Sequence, residues 1–186
     1  MLEKRLEINA DDVRAHFHLA KSFSQRGDID EAIHHAEKYI QNCKEDFNGS
    51  VYYLLISLLI KKGDIEKAEV WLNDSVQSLP MDLDIASAQV DLGVLKKRPD
   101  MVLAGAVRYM DIFDRICQDP AFIGNRSVYT FTPERNVECS MHVLFLLLND
   151  AKRVRARLEK AIETAPDTFK VQAQKNIETI LNLTGA

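Results

Sequence analysis

The chain has 186 residues, of which 46% are hydrophobic and 28% charged, and its formal net charge is -4. That is enough apolar material for a packed core, which excludes wholesale disorder, and there is no cationic excess to neutralise phosphates, which argues against nucleic acid as a partner. Seven glycines and five prolines are too few for a turn-rich all-β fold and favour long helices with short connections.

Residues 1–10 read as the tail of a repeat's second helix, so the expectation is that part of an earlier unit precedes them. Residues 11–44 then carry an apolar helical face (Phe17, Leu19, Ala20, Phe23), a turn (Gly27, Asp28) and a second helix around Ala32. The same design returns over 47–80. Gly27-Asp28-Ile29-Asp30-Glu31-Ala32 reappears 36 residues later as Gly63-Asp64-Ile65-Glu66-Lys67-Ala68. Glycine can end a helix in the left-handed conformation, and Asp28 and Asp64 are suited to cap the next one. Glu31 lies where a capping box with Asp28 would need it. Ala32 and Ala68 are small where two antiparallel helices must approach.

A third unit, 82–117, keeps helical spacing through Leu92, Leu95, Val102, Ala104, Val107 and Met110, but its turn, Lys97-Arg98-Pro99-Asp100, lacks the glycine. Pro99 still suits the first turn of a helix. Residues 118–135 break the period: Pro120, Gly124 and Pro133 interrupt helix, and Ser127 to Thr132 is β-prone and expected to run extended. In this insertion Phe122, Tyr129 and Phe131 either tuck against neighbouring helices, or Arg126 and Tyr129 line a binding groove. A fourth unit spans 136–166, with Met141, Leu144, Phe145 and Leu148 before a turn near Asn149-Asp150, and 167–186 reads as a capping helix.

The paired units resemble tetratricopeptide repeats. The first offers His16, Leu19, Ala20, Phe23, Gly27 and Ala32 at that family's positions, and the second Tyr52, Leu55, Leu59, Gly63, Ala68 and Pro80, with Ile56 where a small residue is usual. The resemblance implies an all-α fold, an α-solenoid of stacked antiparallel helix pairs with about four repeats plus a C-terminal capping helix. It also implies that the first helix of each pair lines a concave groove where a protein or peptide partner lies. Carried over to this chain, Phe17, Lys21, Tyr53, Ser57, Gln89 and Lys96 face that groove, joined by Arg126 and Tyr129 from the insertion. Phe17 and Tyr53 stand where a lysine- and asparagine-rich carboxylate clamp would place polar groups, which argues against chaperone-tail binding.

Candidate chemistry is sparse. His16 and His18 point to different faces of one helix, as do His34 and His35, and neither pair has metal-ligand spacing. A hairpin could bring His18 near His34, yet helix-surface or packing roles account for all four. Cys139 has His142 three residues on but no orienting acid or oxyanion site, so a buried structural thiol is the expectation. Phosphate-cradling loops and nucleophile elbows are absent from the sequence. The reading is therefore a non-catalytic scaffold with no cofactor and no metal. The short basic clusters, Lys96-Lys97-Arg98 among them, sit near helix ends, where cations favour the dipole or stay solvated. Cys43, Cys117 and Cys139 are odd in number, with no CxxC, which fits a reducing compartment. The apolar runs 51–60 and 143–148 fall short of the roughly 20 residues of a membrane span, so a cytoplasmic location without membrane insertion is expected.

The back half is also similar, in pattern alone, to helical-repeat tails of some bacterial family-2 glycosyltransferases. That implies an alternative in which the chain is the regulatory or substrate-docking region of a larger enzyme. Self-association into a homo-oligomer, through the capping helix or the truncated first helix, is a third reading.

Overall fold

A computed structural model of the chain describes residues 9–43, 48–124 and 128–146, together with 157, 159, 160, 162, 163, 170 and 171. The turn expected near Asn149-Asp150 and most of the capping segment lie outside the described residues, as do Arg126 and residues 1–8. Among the described residues there are seven α-helices and no strand: α1 (Val13–Arg26), α2 (Ile29–Asn42), α3 (Gly49–Lys62), α4 (Ile65–Ser78), α5 (Leu83–Leu95), α6 (Pro99–Gln118) and α7 (Pro133–Leu146), with a 3-10 turn at Pro120–Ile123 before α7. The chain forms two compact units that divide within α5, between Ala88 and Gln89.

In the first unit the helices pair as hairpins. Asp12 caps α1 by accepting from the Ala15 N–H at 2.9 Å. Gly27 ends α1 with φ 85°, and the N–H groups of Gly27 and Asp28 return to Ser24 O and Phe23 O. Gly63 repeats this device after α3, with φ 87° and bonds to Ile60 O and Leu59 O. Only a residue that tolerates positive φ closes this turn without strain, which is why glycine recurs there. Ala32 and Ala68 are fully buried where the paired helices meet.

The two aspartates of the turn diverge. Asp64 accepts from the Lys67 N–H and caps α4. Asp28 makes no side-chain capping bond, because its carboxylate is taken by Arg26 Nε at 3.1 Å, so the expected capping box with Glu31 does not close on it.

The third turn reaches the same backbone geometry without glycine. Lys97 adopts φ 54°, and the N–H groups of Lys97 and Arg98 bond Val94 O and Gly93 O in the pattern of Gly27 and Gly63. Pro99 opens α6 at its first position. Close approach of α5 and α6 is made possible by Gly93, where an added Cβ would lie 2.9 Å from both Val102 Cγ2 and Val102 N. The segment before α7 is irregular rather than a strand. Its Thr130 carbonyl accepts the buried Tyr109 hydroxyl of α6, and Phe131 packs on Phe113 with ring centroids 4.7 Å apart. Drawn onto α6 by these two contacts, residues 128–132 have no strand to pair with among the described residues.

Candidate functional site

Two positions on the first helices repeat at a 36-residue spacing: Phe17 and Lys21 on α1 correspond to Tyr53 and Ser57 on α3. All four are half-buried. The Phe17 ring leans on Tyr39 of α2 at 5.8 Å, and the Lys21 ammonium stands 5.1 Å over its face. That cation–π contact fixes an aromatic and a cation side by side.

Beneath this face the fully buried rings carry polar tips, and each tip is tied to the second helix of its own hairpin. In the second hairpin, Tyr52 donates its hydroxyl to Asp74 Oδ2 at 2.8 Å and meets the Trp71 ring edge-on. Burial, reinforced by Asp74, pushes the Tyr52 hydroxyl pKa well above the usual phenol range. His16 holds the equivalent place in the first hairpin. Its Nδ1 lies 2.8 Å from His35 Nδ1, and its Nε2 2.9 Å from Ala10 O. A carbonyl only accepts, so Nε2 of a neutral His16 carries the proton, and Nδ1 accepts from the Nδ1–H of His35. The hairpin thus joins His16 to His35, which stacks on Phe23, rather than His18 to His34. Counting His16 as the counterpart of Tyr52 and His35 as that of Trp71 would have found this pair in the sequence. Among the described residues no group of three or more metal-ligating side chains comes together.

In the second unit, Gln89 accepts from Arg108 Nη2 across the α5–α6 hairpin, so its amide oxygen is engaged. Lys96 is half-buried at the end of α5, and Tyr129 is 40% exposed. Phe122 has the Arg115 guanidinium 5.4 Å from its ring. Arg135 fastens α7 to α5: its Nη2 lies 2.6 Å from Asp91 and its Nη1 2.7 Å from Glu138. Burial pushes the Asp91 carboxyl up in spite of Arg135, whereas the His142 ring and Arg135 hold Glu138 down at about 2. Cys139, next to this cluster, is fully buried, and burial raises its thiol to about 12. A thiol at that value is not a nucleophile at neutral pH. Asn136, Arg157 and Lys160 border a cleft of about 250 Å³ beside Phe113 and Cys117. Arg157 is engaged there by Asp114 and by Met110 O.

The succession of capped antiparallel hairpins is found in solved structures. One match is the crystal structure of MamA, with a TM-score of 0.56 and 14% identity over 88% of this chain and 84% of that one. Another is YrrB, described as a TPR protein with an unusual peptide-binding site, with a TM-score of 0.50 and 18% identity over 94% of this chain and 80% of that one. The chain has the tetratricopeptide-repeat fold. No protein-family model and no curated protein sequence matches it. In the tetratricopeptide-repeat frame α1, α3 and α5 are first helices, and α2, α4 and α6 second helices. Among the described residues no helix is long and apolar enough to cross a membrane.

Proposed function

We propose that the chain is a non-catalytic interaction scaffold that holds a peptide or helix of a partner protein against α1 and α3. The observation that carries this is the repeated aromatic–polar pair, Phe17 with Lys21 and Tyr53 with Ser57, half-exposed at equivalent positions of successive first helices. Aromatic rings that are already held in place lose little freedom on binding and serve well as anchors. The likeness to YrrB, itself a peptide-binding protein, agrees with such a partner. Gln89, Lys96 and Tyr129 belong to the second unit, and the reading does not depend on them.

The test is affinity capture from source-cell lysate with the wild type and with a Phe17→Ala, Tyr53→Ala variant whose helicity is checked by circular dichroism. The partner captured by the wild type is then titrated against both proteins. Loss of two anchors predicts a fall in affinity of about thirty-fold or more. Equal binding by the folded variant refutes the assignment, and so does the absence of any specific partner.

A further inference from the structure

The first hairpin is closed at its buried tip by groups that titrate near neutral pH, and the second is not. His16 and His35 stand where the second hairpin has Tyr52 and Trp71. Tyr52, raised by burial, keeps its proton throughout the physiological range and donates it to Asp74. In the first hairpin His16 Nδ1 and His35 Nδ1 lie 2.8 Å apart, which leaves room for a single hydrogen between them. His16 Nε2 lies 2.9 Å from Ala10 O, and a carbonyl only accepts, so this nitrogen also carries a proton. While the contact is closed, one of the four ring nitrogens must stay bare, and one of the two rings is therefore neutral.

The surroundings give a second charge no relief. His16 is 3% exposed. The His35 ring stacks on Phe23 with centroids 5.3 Å apart, and His34 meets it edge-on. Turning His35 Nδ1 aside would leave a buried N–H of His16 without its acceptor. The helices packed around the pair are α1, α2 and α3. Helices α1 and α3 carry basic side chains and no carboxylate. Of the basic groups, Arg26 lies 4.5 Å over the Phe23 ring. On α2, Asp30 is bound by Lys62 and Glu37 by Lys67, and Glu31 is exposed. In the connecting segments Asp11 accepts from Asn42, Asp12 caps α1 and Asp28 pairs with Arg26.

We infer that the His16–His35 contact is an acid-sensitive latch of the first hairpin, holding α1 on α2 while one ring is neutral and releasing it when both are charged. An opened histidine takes up its proton below a pH of about 6.5. The closed contact excludes one of the protons that the opened pair binds, so the opened state holds more protons in acid. Stability of the hairpin therefore falls as pH falls, and its opening constant rises about tenfold per pH unit below that value. Phe17, the next residue on α1, loses its seat against Tyr39 as α1 leaves. The latch needs no partner, so it stands or falls apart from the groove reading.

The test is hydrogen–deuterium exchange of the full chain at pH about 7.5 and about 5, read by mass spectrometry and corrected for the intrinsic pH dependence of amide exchange, with α3 as the internal reference. Exclusion of one proton raises the opening constant of α1 about thirty-fold over that interval. In His35→Asn a side-chain amide takes the place of the ring: its nitrogen donates to a neutral His16 and, turned over, its oxygen accepts from a charged one. In that variant the opening constant of α1 changes by less than about threefold. The His34→Asn protein, altered outside the Nδ1 contact, keeps the wild-type response. Thermal unfolding at neutral pH checks that both variants fold. Ring-nitrogen NMR spectra of the wild type need no variant: the fourth ring N–H of the pair forms only as α1 opens. The inference is overturned if acid opens α1 no more than α3, if the folded His35→Asn protein keeps the full acid response, or if His34→Asn abolishes it. It is also overturned if both rings become fully protonated while α1 stays closed.

Discussion

Gly93 and Val102 exchange sizes relative to the other repeats, and the exchange makes a quantitative prediction. Gly93 stands where Phe23 and Leu59 stand in the first two hairpins, and Val102 where Ala32 and Ala68 stand. A bulky first-helix residue facing a small second-helix residue has become a glycine facing a valine. Val102 is only 5% exposed, so Val102→Ala removes two buried carbons and leaves a cavity, at about 2 kcal/mol. Gly93→Leu alone drives a side chain into Val102 Cγ2, 2.9 Å from the new Cβ, and into Met101 Cβ at 3.2 Å. Overpacking of that kind costs about 3 kcal/mol, offset by about 1 kcal/mol of helix propensity, for a net loss of about 2 kcal/mol. Independent losses would sum to about 4 kcal/mol. In the double variant the leucine fills the space the valine left, so the expected total is about 2 kcal/mol, a coupling of about 2 kcal/mol. Part of the clash persists, because the new Cβ also meets Val102 N, and α6 must withdraw slightly. Urea unfolding of all four proteins, followed by far-ultraviolet circular dichroism, measures the cycle. Additivity to within about 0.5 kcal/mol would refute the compensation.

Other outcomes follow from single features. Lys97→Gly relieves the left-handed strain, offset by the greater freedom of glycine in the unfolded chain, and raises stability by about 0.5 to 1 kcal/mol in the same assay. Tyr52→Phe deletes the bond to Asp74, whose exposed carboxylate turns to water instead, lowering stability by about 1 kcal/mol. A maleimide reagent at neutral pH modifies the exposed Cys117 in the native protein and reaches Cys139 only after denaturation, as mass spectrometry of tryptic peptides will show. The carboxyl of Glu138 is depressed on folding from an ordinary value of 4.5 to about 2. Its stabilising contribution is therefore complete above pH about 4.5 and lost as pH falls towards about 2. Glu138 is 47% exposed, so solvent screens the effect, and Glu138→Gln should flatten that limb of the pH–stability curve only modestly.

The sequence carried the repeat unit plainly, because glycine at a left-handed turn and alanine at a close helix contact are local requirements with few chemical solutions. Gly27, Gly63, Ala32 and Ala68 therefore mark two hairpins in the sequence itself. The third hairpin was less legible, since it meets the same requirements by substitution. A strained lysine replaces the turn glycine, and a glycine on the opposite helix makes room for a valine. Each residue by itself resembles a departure from the pattern; only their pairing in space shows compensation. The pairing of His16 with His35 was less legible for a related reason. Spacing within one helix shows that His16 and His18 diverge, but whether His16 meets His35 depends on hairpin register. The repeated face of Phe17, Lys21, Tyr53 and Ser57 is what the tetratricopeptide-repeat resemblance implies, whereas its ligand depends on side-chain combinations that no periodicity encodes.

The composition of α3 has a consequence for how the first unit breathes. Eight of its fourteen residues are buried, among them Tyr52, Leu55, Ile56 and Leu59 with almost no exposed surface. Helix α1, by comparison, buries four. In a linear array, opening free energy is shared only between neighbours, so the least stable hairpin frays by itself. Amide hydrogens of α3 should exchange with deuterium by near-global unfolding, and those of α1 by local opening. A partner seated across both helices would then do more than occupy a surface: it would slow exchange in α1 most, clamping the looser hairpin onto the firmer one.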